Sequence, residues 1–178
     1  MLNRENAKIL VVDDSEDNRL LLARRLNRDG YSNVVLADGG QMALECMQKM
    51  DFDLILLDYM MSDLSGLEVL KNIKSNPNLR HIPIIMVTAL DEVEKVADCI
   101  MGGADDFITK PFNAILLKAR VSASLEKKRL RDIEAAYLRR VESEKKKSQN
   151  FLRTILPSAV ANELQSSGVI RSRRYDDV

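Results

Sequence analysis

Five short, unbroken apolar runs limit what this chain can fold into: Ile9-Leu10-Val11-Val12, Val34-Val35-Leu36, Leu54-Ile55-Leu56-Leu57, Ile84-Ile85-Met86-Val87 and Phe107-Ile108. A strand with one wet face alternates apolar and polar residues, because successive side chains point to opposite sides. These runs do not alternate, so each strand is expected to be covered on both faces, as in a parallel sheet between two layers of helices. The intervals between the runs carry helical spacing, for example Leu20-Ala23-Leu26, Met42/Ala43-Met47-Met50 and Leu67-Leu70-Ile73. Strand and helix in regular alternation give βαβ units with right-handed crossovers. The expected fold is an α/β domain built on a doubly wound, five-stranded parallel sheet.

Beyond Pro111 the pattern changes. Residues 113–156 contain neither Gly nor Pro and are rich in good helix formers. As one helix those 44 residues would reach about 66 Å at a rise of ~1.5 Å per residue, too long for a small domain to cover. Residues 126–147 carry nine basic and five acidic side chains around a thin apolar stripe at Leu130, Ile133, Tyr137 and Val141, with Phe151 and Ile155 following. The 3–4–4 spacing departs from a strict heptad, so a coiled coil here would be locally irregular. A parallel homodimer through residues 126–156 is expected, because the stripe is otherwise left in water; a solvated single helix is the alternative. Pro157 stops the helix, Ser158 can cap a short amphipathic one, and Gly168 ends it. The expected organisation is a domain at 1–125, a helical linker at 126–156 and a short helix with a stub at 157–178.

The chemistry gathers at the strand ends. Asp13 and Asp14 follow the first run, Asp58 the third, Thr88 the fourth, and Lys110 ends the fifth. In an open parallel sheet the carboxyl ends of the strands form the crevice where ligands bind. Three carboxylates crowded there repel one another unless a cation is shared. Oxygen-only ligands suit Mg2+, which takes one or two carboxylates together with waters and phosphate oxygens. Thr88 and Lys110 can each take one phosphoryl oxygen. Asp58, in the middle, is the natural nucleophile and would form an acyl phosphate. Aspartates after strands often do no more than cap helices, and Asp14 or Ser15 could do so here. Five such residues at successive strand ends are far more specific than any one of them.

The stretches "ILVVDDSEDNRLLL", "LILLDYMMSDLSGLEVL", "IIMVTA" and "GADDFITKPF" closely resemble the receiver domain of two-component response regulators over residues 8–125. The resemblance implies a flavodoxin-like sheet of order 2-1-3-4-5. It implies that Asp58 accepts phosphate from a phosphohistidine on a histidine kinase or phosphotransfer protein. Asp14 and Asp58 would bind Mg2+ directly with the Met60 backbone carbonyl, and Asp13 through water. Thr88 and Lys110 would take phosphoryl oxygens, Lys110–Pro111 would be cis, and Phe107 would be the aromatic switch residue. Ala89 is small, as required beside an approaching phosphoryl group. Ser62 and Ser65 depart from the family's usual Pro and Asp or Asn without removing a reactive group. Met60 and Leu90 offer no side-chain group to orient an attacking water, so slow self-dephosphorylation is expected, and a half-life of seconds would contradict it. The family switch would bias the face made by the fourth helix, fifth strand and fifth helix, and the fifth helix, beginning near Phe112, would carry the change into the linker.

"FLRTILPSAVANELQSSGVIRSRRYDDV" resembles the segment that leads into class III adenylate/guanylate cyclase domains. That resemblance implies an output domain beyond Val178, and the chain itself, as a receiver, would not be an enzyme. A PP2C-like phosphatase is the rival output, a diguanylate cyclase fits the linker less well, and an adaptor whose helical tail binds a partner is a different class of reading. Acidic and basic residues balance at 27 each, which argues against a nucleic-acid partner. No stretch is long and apolar enough to insert in a membrane. Cys46 and Cys99 read as buried thiols of a cytoplasmic protein, and His81 as a surface loop residue.

Overall fold

The computed structural model describes residues 6–89 and 93–155. Five strands and five helices alternate: β1 (Lys8–Val12), α1 (Glu16–Arg28), β2 (Asn33–Ala37), α2 (Gly40–Lys49), β3 (Leu54–Asp58), α3 (Gly66–Ser75), β4 (Ile84–Ala89), α4 (Val93–Met101), β5 (Asp106–Lys110) and α5 (Ala114–Ile155). The strands form one parallel sheet in the order β2-β1-β3-β4-β5, as the resemblance implied.

The unbroken apolar runs are explained by two separate cores. Leu10, Val12, Ile55, Leu57, Ile84 and Met86 face one layer, where they meet α2 and α3 through Ala43, Met47, Val69, Leu70 and Ile73. Their neighbours Ile9, Val11, Leu54, Leu56, Ile85 and Val87 face the other layer, against Leu22 and Leu26 of α1 and Leu117, Val121 and Leu125 of α5. Each such side chain stabilises the fold by roughly 1.5–3 kcal/mol on full burial, so a polar residue on either face of these strands would be costly. The edge strands depart from the expectation of full cover. Asn33 is exposed and Val34, Val35 and Leu36 are half-buried, because a strand with a neighbour on one side only is also overlain less completely.

The inward face of α1 also differs from the spacing read along the sequence. Leu22 and Leu26 are buried, while Leu20 is 39% exposed. Leu20-Leu21-Leu22 offers three leucines in succession, and only Leu22 stands four residues from Leu26 on one helical face. In α2, Ala43 and Met47 are buried whereas Met42, and Met50 at the C-cap, are exposed. Of the two cysteines Cys99 is buried and Cys46 only half-buried.

Local signals set the helix ends. Ser15 is the N-cap of α1 through its backbone, without a side-chain cap bond. Glu16 and Asp17 lie in the first turn and Arg25 and Arg28 in the last, the polarity that suits the helix dipole. Gly30, at φ +93°, supplies the left-handed step after α1. Ser65 and Glu68 close a capping box at the start of α3. Asn113 Oδ1 accepts the N–H groups of Ile115 and Leu116, so α5 starts two residues later than Phe112.

The first compact unit extends to Arg131 and the second begins at Asp132. Within the first, the amino-terminal edge of the sheet holds basic residues of α5. Lys128 Nζ lies 3.1 Å from Asp53 Oδ1, and the Asp53 carboxylate also accepts the Lys8 N–H at 2.9 Å. Asp105 pairs with Lys74 at 3.0 Å and lies 3.7 and 3.8 Å from Lys127 and Arg131. In the second unit every described side chain from 132 to 151 is exposed. The short helix expected after Pro157 lies outside the described residues, as do Leu90 and the Ile155 side chain. Among the described residues no helix is long and apolar enough to cross a membrane.

Candidate functional site

The carboxyl ends of β1, β3 and β5 bring four ionised side chains together. One carboxylate oxygen from each of Asp13, Asp14 and Asp58 lies within 4.8 Å of the other two. Lys110, the last residue of β5, places Nζ 2.8 Å from Asp13 Oδ2 and 2.9 Å from Asp58 Oδ2. Asp13 and Asp58 are 1% and 4% exposed, whereas Asp14 is at the surface. Thr88, also buried, follows Val87, the β4 partner of Asp58; its hydroxyl donates to the Ala89 carbonyl at 3.1 Å.

The loop after β3 is drawn over this site by main-chain bonds. Tyr59 N–H donates to the Val87 carbonyl at 2.8 Å and Gly66 N–H to the Tyr59 carbonyl at 2.9 Å. A Cβ at residue 66 would collide with the Asp58 carbonyl oxygen, so glycine is required where α3 starts against the acidic strand end. Ser62 N–H reaches across to Asp14 Oδ2 at 3.0 Å. Asp63 accepts the N–H groups of Gly40 and Gln41 at 3.0 and 2.8 Å, capping α2 in place of a side chain that Gly39 lacks.

Electrostatics single out Asp58. Burial raises its carboxyl pKa most, the Lys110 hydrogen bond opposes it, and the Asp13 charge raises it further, leaving it at about 6 rather than 3.8. Lys110 loses hydration too, but the bonds from Asp13 and Asp58 outweigh that loss and hold its ammonium charged above the ordinary lysine range. One ammonium therefore serves two of three carboxylates. The remaining negative charge, the all-oxygen donor set and the exposed Asp14 fit a small hard cation, Mg2+ in particular.

The sequence-predicted residues are thus gathered in part. Asp13, Asp14, Asp58 and Lys110 form one cluster, with Thr88 on the adjoining strand end. Met60 sits in the loop just past Tyr59 with its side chain exposed. Phe107 is half-buried at the other end of β5, and the Arg120 guanidinium of α5 lies 5.3 Å from its ring centre; Arg120 also pairs with Asp106. Lys110–Pro111 is cis, and His81 is exposed in its loop. Sequence reading missed Asn18, Arg19, Asp63 and Arg120. Asn18 donates to Asp13 Oδ1 at 3.2 Å and Arg19 to the Asp13 carbonyl at 2.6 Å. The available signal was that both stand one turn into the helix that follows Asp13.

Comparison with known proteins supplies the context. Residues 9–122 match the family model for the response regulator receiver domain. Chemotaxis protein CheY-3 of Vibrio cholerae is 35% identical over 127 residues, covering 71% of this chain and 97% of that protein. Response regulator PleD of Caulobacter vibrioides is 41% identical over 116 residues, covering 65% of this chain but 25% of PleD. Among solved structures, chemotaxis protein CheY4 of Vibrio cholerae superimposes with a TM-score of 0.62 at 33% identity, over 66% of this chain and 98% of that one.

Proposed function

The chain belongs to the response regulator receiver family, a phosphorylation-dependent switch of two-component signalling, and on that premise we propose that Asp58 is its phosphoacceptor. The observation that carries this reading is the buried Asp58 carboxylate, held between a second carboxylate and the Lys110 ammonium. With a pKa near 6, Asp58 is mostly ionised at neutral pH and more basic than an ordinary aspartate, which favours attack. Its oxygen attacks the phosphorus of a phosphohistidine on a histidine kinase or phosphotransfer protein. The new P–O bond makes an acyl phosphate as the P–N bond breaks, and the departing imidazole nitrogen keeps the electron pair and takes a proton. Lys110 moves from carboxylate to phosphoryl oxygen, and Thr88 turns its hydroxyl from the Ala89 carbonyl to another.

Asp14 and Asp58, with the Met60 carbonyl, would hold Mg2+, and Asp13 would serve it through water. When bound, the metal neutralises charge on the phosphoryl oxygens. The domain boundaries follow the same proposal: a receiver at 1–125, a linker at 126–156 and a stub at 157–178. Residues 126–156 form a parallel homodimer, supported by the exposed Leu130, Ile133, Tyr137, Val141 and Phe151. Thr88 and Phe107 convert phosphorylation into a change in α5, and the output is a class III nucleotidyl cyclase, supported by the resemblance of residues 151–178 to the segment leading into such domains.

Acetyl phosphate with Mg2+ tests the acceptor. Intact mass should show one phosphoryl adduct on the parent and none on Asp58→Asn; an adduct of equal yield on the variant removes Asp58 from the role. Sedimentation of the same samples tests the dimer, and a strict monomer with and without phosphoryl group refutes it.

A further inference from the structure

We infer that Asn18 and Arg19 are positioning residues for the acidic site, locking Asp13 so that only one of its carboxylate oxygens faces Lys110 and a bound cation. This inference rests on the proposed metal-assisted acceptance of phosphate at Asp58. Asp13 is the most constrained group in the cluster. Its Oδ1 accepts the Ser15 N–H at 2.9 Å and the Asn18 side-chain amide at 3.2 Å, which fills both lone-pair positions of that oxygen. Its Oδ2 accepts Lys110 at 2.8 Å. Its N–H donates to the Ala37 carbonyl at 3.3 Å, and its own carbonyl takes the Arg19 guanidinium at 2.6 Å. All four polar groups of Asp13 are therefore occupied by protein donors or acceptors.

Asp14 makes the contrast. It is exposed, and Ser62 N–H binds its Oδ2, a different pattern from the full set of ties on Asp13. A carboxylate rotates easily about its terminal torsion, which has broad wells. Asn18 removes that freedom by occupying the oxygen turned away from the site. Arg19 fixes the main chain from which the carboxylate springs. A rigid, single-oxygen contribution from Asp13 suits an ion that demands near-octahedral geometry and keeps its waters. A looser site would suit the larger, more tolerant Ca2+ relatively better.

The test is calorimetric titration of the full chain with Mg2+ and with Ca2+, alongside melting in EDTA. Asn18→Ala and Arg19→Met should weaken Mg2+ binding by roughly tenfold, the low end for partners that orient a metal site, and Ca2+ binding clearly less. Arg19→Lys, which keeps a cationic donor, should recover most of the Mg2+ affinity. Unchanged affinities overturn the inference. So does an equal loss for both ions that tracks a lowered melting temperature, since that is a purely structural effect. Should Asn18→Ala fail to fold, the Arg19→Met and Arg19→Lys pair decides the matter. A parent that binds no Mg2+ and takes no phosphoryl group overturns the functional reading together with this inference. A phosphorylatable, Mg2+-binding parent with indifferent variants overturns this inference alone.

Discussion

Replacing Asp58 by Asn should make the metal-free protein more stable at neutral pH. The site holds three carboxylates against one paired ammonium, and burial together with the Asp13 charge lifts the Asp58 pKa from 3.8 to about 6. A displacement of that size corresponds to about 3 kcal/mol held against folding when the carboxylate is ionised. Asn keeps the shape of the neutral acid, and Lys110 retains Asp13 at 2.8 Å. Allowing for relaxation, the variant should gain about 2 kcal/mol. A compact unit ending at Arg131 should then melt roughly 6–10 °C higher.

The pH profile carries the sign. The folded protein holds its proton on Asp58 more tightly than the unfolded chain does, so rising pH removes stability. Below the unfolded value of about 4 both states are protonated, and parent and variant should differ little. Between about 4 and about 6 the unfolded chain has ionised while the fold still resists, and the gap opens. Above the folded value it is fully open and flat. Urea and thermal melts in EDTA from acid to neutral pH read this directly. A variant no more stable than the parent at neutral pH, or a gap that widens toward acid, refutes the argument that burial and Asp13 destabilise the charged Asp58. Saturating Mg2+ should stabilise the parent by mass action and the variant much less, narrowing the gap from the other side.

Asp63→Ala should cost about 1 kcal/mol at neutral pH, the usual worth of a helix N-cap, because Gly40 and Gln41 lose their acceptor. Partial burial pushes the Asp63 carboxyl up, but the Gln41, Leu64 and Gly40 N–H groups outweigh it and hold the carboxyl below the ordinary aspartate range. Its contribution is therefore present above that range and disappears only as pH falls through the lowered value, so urea midpoints of parent and variant should converge in acid. Asp53→Ala should cost roughly 1–3 kcal/mol, since it removes the acceptor of the part-buried Lys8 N–H together with the carboxylate beside Lys128. Lys128→Met should cost distinctly less, because Asp53 keeps the Lys8 N–H; equal losses by urea melts would contradict the asymmetry.

The strands were legible because every central run serves two cores at once, with Ile9 and Val11 facing one layer and Leu10 and Val12 the other. The gathering of Asp13, Asp14, Asp58 and Lys110 was legible for a related reason: parallel strands deliver their carboxyl ends to one edge, so residues far apart in sequence needed only to be read as strand ends. The ties that orient the cluster left no such trace. Ser62 N–H on Asp14, Asp63 on the start of α2, and Arg19 on the Asp13 carbonyl each join a side chain to a main-chain group. Any residue except proline supplies an N–H at position 62, and the Asp13 carbonyl has no side-chain signature. The first two depend on how the loop after β3 folds back, and the third on a main-chain oxygen just before α1, and neither hydrophobic spacing nor motif chemistry specifies them.

Charge along α5 misleads for the opposite reason. Lys127, Lys128 and Arg131 stand in the sequence as the first members of a solvated basic run, alike in type to Lys145, Lys146 and Lys147. In the fold Lys128 is buried beside Asp53, and Lys127 and Arg131, though exposed, lie 3.7 and 3.8 Å from Asp105 at the amino-terminal edge of the sheet, whereas the later three are exposed along the second unit. A basic side chain has a long apolar stem and a charged end, so its sequence neighbours do not reveal whether that end meets water or a carboxylate. The partners here are the residues just before β3 and just before β5, more than twenty residues away in each case. β5 and the residue before it then join two sets of ion pairs five residues apart: Asp105 with Lys74 and the α5 cations, and Lys110 with Asp13 and Asp58. The strand that supplies Lys110 is thereby also the strand whose entry is tied to α5, a connection carried by charge pairs that no periodicity along the chain records.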